Sequence, residues 1–209
     1  MFRTKLHYRF FGDLGITAFD VKLNTFYLAP NYRDVRFYAT ICALEMRGAT
    51  LLPALVSRLF DSDGGVRAAA IDALASYPAR ELGDALIGVR RELQSSDVER
   101  VTSAAAALAA LGDVHAVRDL VEVLPRDSKV ADPARRALVA LTKQDFGSNE
   151  RKWRKWWEDN RKRHRVEWLI EGLAHKETAI REASADDLRR LTGESFGYHH
   201  EQSRKERDA

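Results

Sequence analysis

The chain has 209 residues, 45% apolar and 31% charged, with a formal net charge of +3. That length supports one sizeable core or one continuous repeat array. Divided at Gly147, the first part holds 19 basic and 18 acidic residues and the second 15 and 13, which argues against a dedicated nucleic-acid-binding domain. Cys42 is the single cysteine, so a disulfide framework and a thiolate metal site are excluded. Its place inside a predicted helix suits a buried, inert thiol. The sequence has no run long and apolar enough to span a membrane and no signal-peptide core, so no membrane insertion and a cytoplasmic location are expected.

Residues 2–11 alternate. Phe2, Thr4, Leu6, Tyr8 and Phe10 share one side, and Arg3, Lys5, His7 and Arg9 share the other. Gly12-Asp13-Leu14-Gly15 reads as a turn, and Phe19, Val21 and Leu23 then alternate with Asp20, Lys22 and Asn24. This predicts a β-hairpin within residues 1–30, with a basic face on Arg3, Lys5 and Arg9. A lone hairpin is marginal in water, so its apolar face is expected to pack on the first helix.

From there on every segment reads as helix. A first helix is predicted over 33–46, followed by pairs at 50–60 with 64–76, 81–94 with 97–111, and 114–124 with 128–142. Asp97 suits an N-cap. Asp132-Pro133 also resembles an N-cap followed by a first-turn proline, which predicts a late or kinked start to its helix.

One pattern unites these helices. Positions 0, 4, 8 and 11 are Val35-Ala39-Ala43-Met46, Val66-Ala70-Leu74-Tyr77, Arg100-Ala104-Leu108-Leu111, Val130-Ala134-Leu138-Leu141 and Ile180-Ser184-Leu188-Leu191. The spacing marks one helix face, and successive copies start 31, 34, 30 and 50 residues apart. Such helices cannot cover both apolar flanks alone, so neighbours must stack. Arg100 stands where other copies carry valine or isoleucine. It is expected to turn outward and leave the apolar contact to Val101.

The long fourth interval implies an insertion, with an extra helix over about 149–162. Trp153, Trp156 and Trp157 fall on one side of that helix. Its other side is Arg151, Lys152, Arg154 and Lys155, and its end is Arg161-Lys162-Arg163-His164-Arg165. At least two of the three tryptophans are expected to be buried.

Small residues at position 4, leucine at 8 and 11, and Asp/Ser/Gly turns together resemble HEAT-like repeats of the short phycobilisome-lyase type, over about 33–197. Leu141-Thr142-Lys143-Gln144-Asp145-Phe146-Gly147 recurs as Leu191-Thr192-Gly193-Glu194-Ser195-Phe196-Gly197. The first copy runs into Trp153-Arg154-Lys155-Trp156-Trp157. This is similar to the LT-x-x-x-FG … W-x-x-WW ending of bacterial HEAT-repeat proteins. The second copy passes to Tyr198 without tryptophans, which implies a truncated chain or a degenerate last repeat. The resemblance implies a scaffold that docks proteins on its surface, and no reaction.

Other chemistry is weakly signalled. Asp145-Phe146-Gly147 matches the kinase metal-binding tripeptide by letters, but no glycine-rich loop or His-Arg-Asp loop accompanies it. It reads as a phenylalanine plug and a glycine chain reversal. His199-His200-Glu201 is one histidine–glutamate pair in a polar tail, and the other histidines are isolated. No elbow motif frames a catalytic serine. No enzyme activity, cofactor or metal is expected.

The sequence therefore predicts an all-α HEAT-like α-solenoid over 31–197, a β-hairpin before it and a polar tail over 198–209. The expected function is that of a non-catalytic scaffold or adaptor for a protein partner. Candidate partner-binding residues are Arg161, Lys162, Arg163, Arg165, Arg3, Lys5 and Arg9. The alternative is nucleic-acid binding through the basic helix 151–165.

Overall fold

Among the described residues four helical segments begin at an aspartate whose carboxylate accepts a backbone N–H. Asp63 accepts from the Val66 N–H, Asp97 from Glu99 and Arg100, and Asp127 from Lys129. The computed structural model describes residues 33–46, 48–194 and 197–201. Among the described residues the protein is all-α, with two single-turn 3₁₀ segments and no strand. The expected hairpin over 1–30, with Arg3, Lys5 and Arg9, lies outside the described residues.

The helices are α1 (Arg33–Met46), α2 (Leu52–Arg58), α3 (Gly64–Leu74), α4 (Ala79–Glu92), α5 (Val98–Ala110), α6 (Val117–Val123), α7 (Ser128–Thr142), α8 (Glu150–Asn160), α9 (Arg165–Gly172) and α10 (Thr178–Thr192). The chain divides inside α4 into two compact units, Met1–Ile87 and Gly88–Ala209.

In the first unit α1 and α2 both pack on α3. Val66, Ala70 and Leu74 of α3 are wholly buried. Tyr77 is buried too, and its hydroxyl donates to the Gly48 carbonyl at 3.0 Å. Arg36 of α1 is also buried, which the sequence pattern does not signal. Its Nε and Nη2 donate to the two oxygens of Asp61 at 2.8 and 3.0 Å. Arg58 adds a third contact at 3.0 Å, and the Asp63 N–H a fourth. Burial alone would raise the Asp61 carboxyl. The hydrogen bonds from Arg36 and Asp63, with the charges of Arg36 and Arg58, outweigh it and hold the group below the ordinary carboxylate range. Cys42, expected to be buried, is partly exposed.

In the second unit α5 packs on α7, and α6 also lies on α7. Ala104, Ala105 and Ala107 of the alanine run are buried while Ala106 faces out. Three small side chains on one side let two helix backbones approach closely. Leu108 and Leu138 are wholly inaccessible, and Leu188 of α10 is 5% exposed, as the repeat pattern requires. Arg100 turns outward and places both arms of its guanidinium on Glu92 at 2.7 Å, while Val101 takes the buried place.

Two local expectations need correction. Helix α7 starts at Ser128, capped by Asp127, so Asp132 is not a cap and Pro133 sits inside the helix. A proline there removes the N–H that would reach the Lys129 carbonyl and crowds that carbonyl with its ring, and exposed Lys129 leaves the carbonyl near water. Helix α9 does not appear in the sequence reading. It is eight residues long and opens with a capping box in which His164 Nδ1 accepts from the Val166 N–H and Glu167 accepts from the His164 N–H. Histidine is not a usual cap residue, so the start signal is faint. Helix α9 packs on α10 and α7, and the inserted helix α8 packs on α6.

Replacing Leu108 by alanine is expected to destabilise the protein by about 2–5 kcal/mol, read from the midpoint shift in urea. A shift near zero would contradict its place in the core. Asp61 gives a pH-dependent contribution. Its folded-state pKa is depressed, so its stabilisation is present above the unfolded value and is lost as pH falls through the folded one. Acid titration followed by circular dichroism should show the parent losing stability below about pH 4. Asp61→Asn should be weaker at neutral pH and lose less on acidification.

Candidate functional site

The repeated LT-x-x-x-FG element forms a built turn. Thr142 donates its hydroxyl to the Leu138 carbonyl at 2.7 Å and accepts from the Gln144 N–H at 3.2 Å. Thr192 repeats both bonds with Leu188 and Glu194. Between them stands a left-handed residue, Gly193 in the second copy and Lys143 (φ 59°) in the first. Asp145 then takes the Gly147 N–H at 2.8 Å and the Arg135 guanidinium. The bond from Arg135, aided by Gly147, holds the Asp145 carboxyl below its usual range against a smaller effect of burial. So Asp145 is a structural carboxylate of the chain reversal. Gly147 itself has φ +59°.

The tryptophan element locks onto this reversal. Trp153 Nε1 donates to the Gly147 carbonyl at 2.9 Å, and Phe146 meets the Trp153 ring edge-on at 4.9 Å. Trp156 and Trp157 both lie edge-on against Trp168 of α9, at 5.2 and 6.1 Å. Trp153 and Trp168 are buried, but Trp156 and Trp157 are only partly so. The expectation of two buried rings among the three of α8 is therefore not met. The difference lies in the neighbours: Trp153 is closed in by the Phe146–Gly147 turn, whereas Trp156 and Trp157 meet the single ring of Trp168 on α9.

The predicted basic cluster separates. Arg161 is exposed and pairs with Glu158 at 3.4 Å. Lys162 is exposed and makes no ion pair among the described residues. Arg163 is half-buried, and its guanidinium reaches Glu167, Glu171 and Asn160 at 2.9, 2.6 and 2.7 Å. Arg165 turns inward to Asp187 at 3.0 Å. On α8 Arg154 pairs with Glu150, and Lys155 pairs with Asp159 at 3.0 Å. Arg151 and Lys152 are exposed and have no side-chain partner among the described residues.

Asp187 is the centre of a second cluster that the sequence does not announce. It lies on α10 and is buried. Its Oδ2 accepts from Lys143 Nζ at 2.9 Å and from Arg165 Nη2 at 3.0 Å, and its Oδ1 accepts from Arg190. Burial pulls the Lys143 ammonium below its usual value, the bond to Asp187 opposes that, and the charges of Arg165 and Arg190 add to the lowering. Burial likewise lowers Arg165, which stays charged. The only sequence signal for this cluster is Lys143 in a position that its repeat fills with glycine.

Helix α9 can come this close because Gly172 carries no side chain. A Cβ there would collide with the Ser184 hydroxyl of α10 and press on Lys143. Among the described residues no three His, Cys, Asp or Glu side chains gather as a metal ion would need, and no helix is long and apolar enough to cross a membrane. Neither a family model nor a curated protein matches the chain.

The four tryptophans should divide under acrylamide. Trp153 and Trp168 are shielded and Trp156 and Trp157 are partly open, so a quenching plot should bend, with one accessible and one protected fraction. Trp156→Phe and Trp157→Phe should each reduce the accessible fraction. A single straight plot with every ring accessible would contradict the Trp153 and Trp168 environments.

Proposed function

We propose that this protein is a non-catalytic docking protein, a HEAT-like solenoid that holds a protein partner on the outward side of α8 and the turn after it. The observation that carries the reading is the partial exposure of Trp156 and Trp157 beside basic side chains that make no ion pair among the described residues. Lys152 stands one turn before Trp156 on the same side of the helix, and Lys162 follows Trp157 across the helix end. Tryptophan is enriched at interface centres, and basic side chains beside it suit the polar rim that meets an acidic partner surface. The two central positions of the repeated face are buried in all five copies, although Met46 and Leu191 at its last position are exposed, and this supports the solenoid reading. Arg163 and Arg165 have a structural role here, so the docking surface centres on Arg151, Lys152 and Lys162, with Arg161, paired with Glu158, at its edge. The single cysteine suits a reducing compartment, in keeping with a place in the cytoplasm.

The partly exposed rings also favour a second reading, nucleic-acid binding along residues 151–165, in which Trp156 and Trp157 stack on bases. It is the weaker of the two, because Arg154, Lys155, Arg161, Arg163 and Arg165 already face carboxylates of the chain.

One comparison separates them. The parent chain and a Lys152→Glu/Lys162→Glu variant are used as baits in lysate of the source cells and in mobility shifts with single-stranded DNA and RNA. A protein retained by the parent and lost by the variant is the expected result. A salt-dependent nucleic-acid shift that the variant abolishes would replace the docking reading with the second one. Identical behaviour of parent and variant would remove this surface from either role.

A further inference from the structure

Lys143, Asp187, Arg165 and Arg190 come from three places in the second unit: the turn after α7, the start of α9 and the last turn of α10. Three cations share one carboxylate. Lys143 and Asp187 are both almost closed to water, with side chains 6% and 10% exposed. That pair is neutral, so the two guanidinium groups remain as a surplus of two positive charges. Among the described residues Asp187 is the carboxylate that pairs with both Lys143 and Arg165. Arg190 is open to solvent, so the charge that is largely enclosed beyond the neutral pair is that of Arg165, and enclosing a charge without a full set of partners is costly.

Two further observations bear on the same spot. Arg165 Nε is buried and has no hydrogen-bond partner. A guanidinium offers five donors, and this one uses one of them on Asp187. Its Nη1 lies against the backbone of Gly112, where a Cβ would stand only 2.6 Å away, so the glycine seats the guanidinium against the end of α5. Second, Lys143 holds a left-handed backbone that disfavours side chains, although glycine fills the equivalent place in the second copy of the turn. Strain kept at a charged residue points to a role for its charge.

We propose that Arg165 and Arg190, set by Asp187 and Lys143, form a receptor for a phosphate dianion, free or carried as a monoester. The surplus of two charges matches a dianion and not a carboxylate. Arg190 is 74% exposed and Arg165 20%, so the anion enters from the open side, where Arg190 can close over it. Planar guanidinium groups bind phosphate oxygens through paired N–H bonds. Lys143 stays on Asp187 and keeps that carboxylate from repelling the ligand. The site does not include Trp156, Trp157 or Lys152, so its failure would leave the docking surface untouched.

The test is a calorimetric titration of the whole chain with inorganic phosphate, O-phosphoserine and acetate at matched ionic strength. Saturable binding of phosphate, and weaker or no binding of acetate, is expected. Phosphoserine binding as well as or better than phosphate would identify the monoester as the source. Preference for inorganic phosphate would identify the free ion. Arg190→Gln should weaken binding by about tenfold or more, which corresponds to losing about 1.4 kcal/mol. It alters an exposed side chain, so it should fold. Arg189→Gln, one residue away and paired with Asp186, should bind like the parent. Arg165→Lys keeps the charge but loses the fork, and should also bind more weakly. Absence of saturable phosphate binding would overturn the proposal, as would equal binding by parent and Arg190→Gln or equal affinity for acetate and phosphate.

Discussion

Close approach between helices is the constraint on which the rest of this structure depends. The fourth position of the repeated face is Ala39, Ala70, Ala104, Ala134 and Ser184, and all five are buried. Small side chains there bring backbones near one another, so the residue four on, a leucine in four copies and Ala43 in the first, can fill the space to native density. Gly172 does the same from the opposite helix at the last pair. A side chain at Gly172 would run into Ser184 Oγ and Lys143 Cβ, and a larger residue at the buried alanines would overpack the core. The fold is thus specified by where bulk is absent as much as by where it is present.

Closely packed helices leave little room for loops, and the loop carboxylates are used twice. Asp63 gives one oxygen to the Val66 N–H and the other to Arg33 of α1 at 2.7 Å. Asp113 gives one to the His115 N–H and the other to Arg90 at 2.5 Å. In each case one oxygen starts a helix and the other ties that start to an earlier helix. Such pairs contribute less through net charge attraction than through fixing register, because partial burial offsets much of the Coulomb gain. Arg126 serves the same end without a carboxylate, donating to the Leu93 and Ser95 carbonyls.

The helices, their order and their inner face were legible in the sequence because a period near 3.6 and a period near thirty residues coincide on the same leucines and alanines. Asp97 as a cap and Arg100 as the outward exception followed from elementary chemistry. What was not legible has identifiable causes. Helix α9 is short, with an unusual histidine cap, so neither length nor start signal marks it. Asp132-Pro133 carries a cap signature that Asp127, five residues earlier, pre-empts. Arg36 and Asp61 are 25 residues apart, and nothing local in either says that they will be buried together. The basic run 161–165 looked uniform as letters. Helix geometry sends Arg163 along α9 to Glu167 and Glu171, and Arg165 into the interior, and leaves only Arg161 and Lys162 outward.

Helix α10 differs from α5 and α7 in what it buries. Alongside Ile180, Ala185 and Leu188 it hides Arg181, Ser184 and Asp187. Arg181 alone ties to the His175, Lys176 and His200 carbonyls and to the Thr178 hydroxyl. Water can replace such bonds at low cost once a gap opens, whereas it cannot replace hydrocarbon contacts. The last helix pair is therefore where local opening is expected first, seen as faster amide exchange in α9 and α10 than in the alanine-lined α5 and α7.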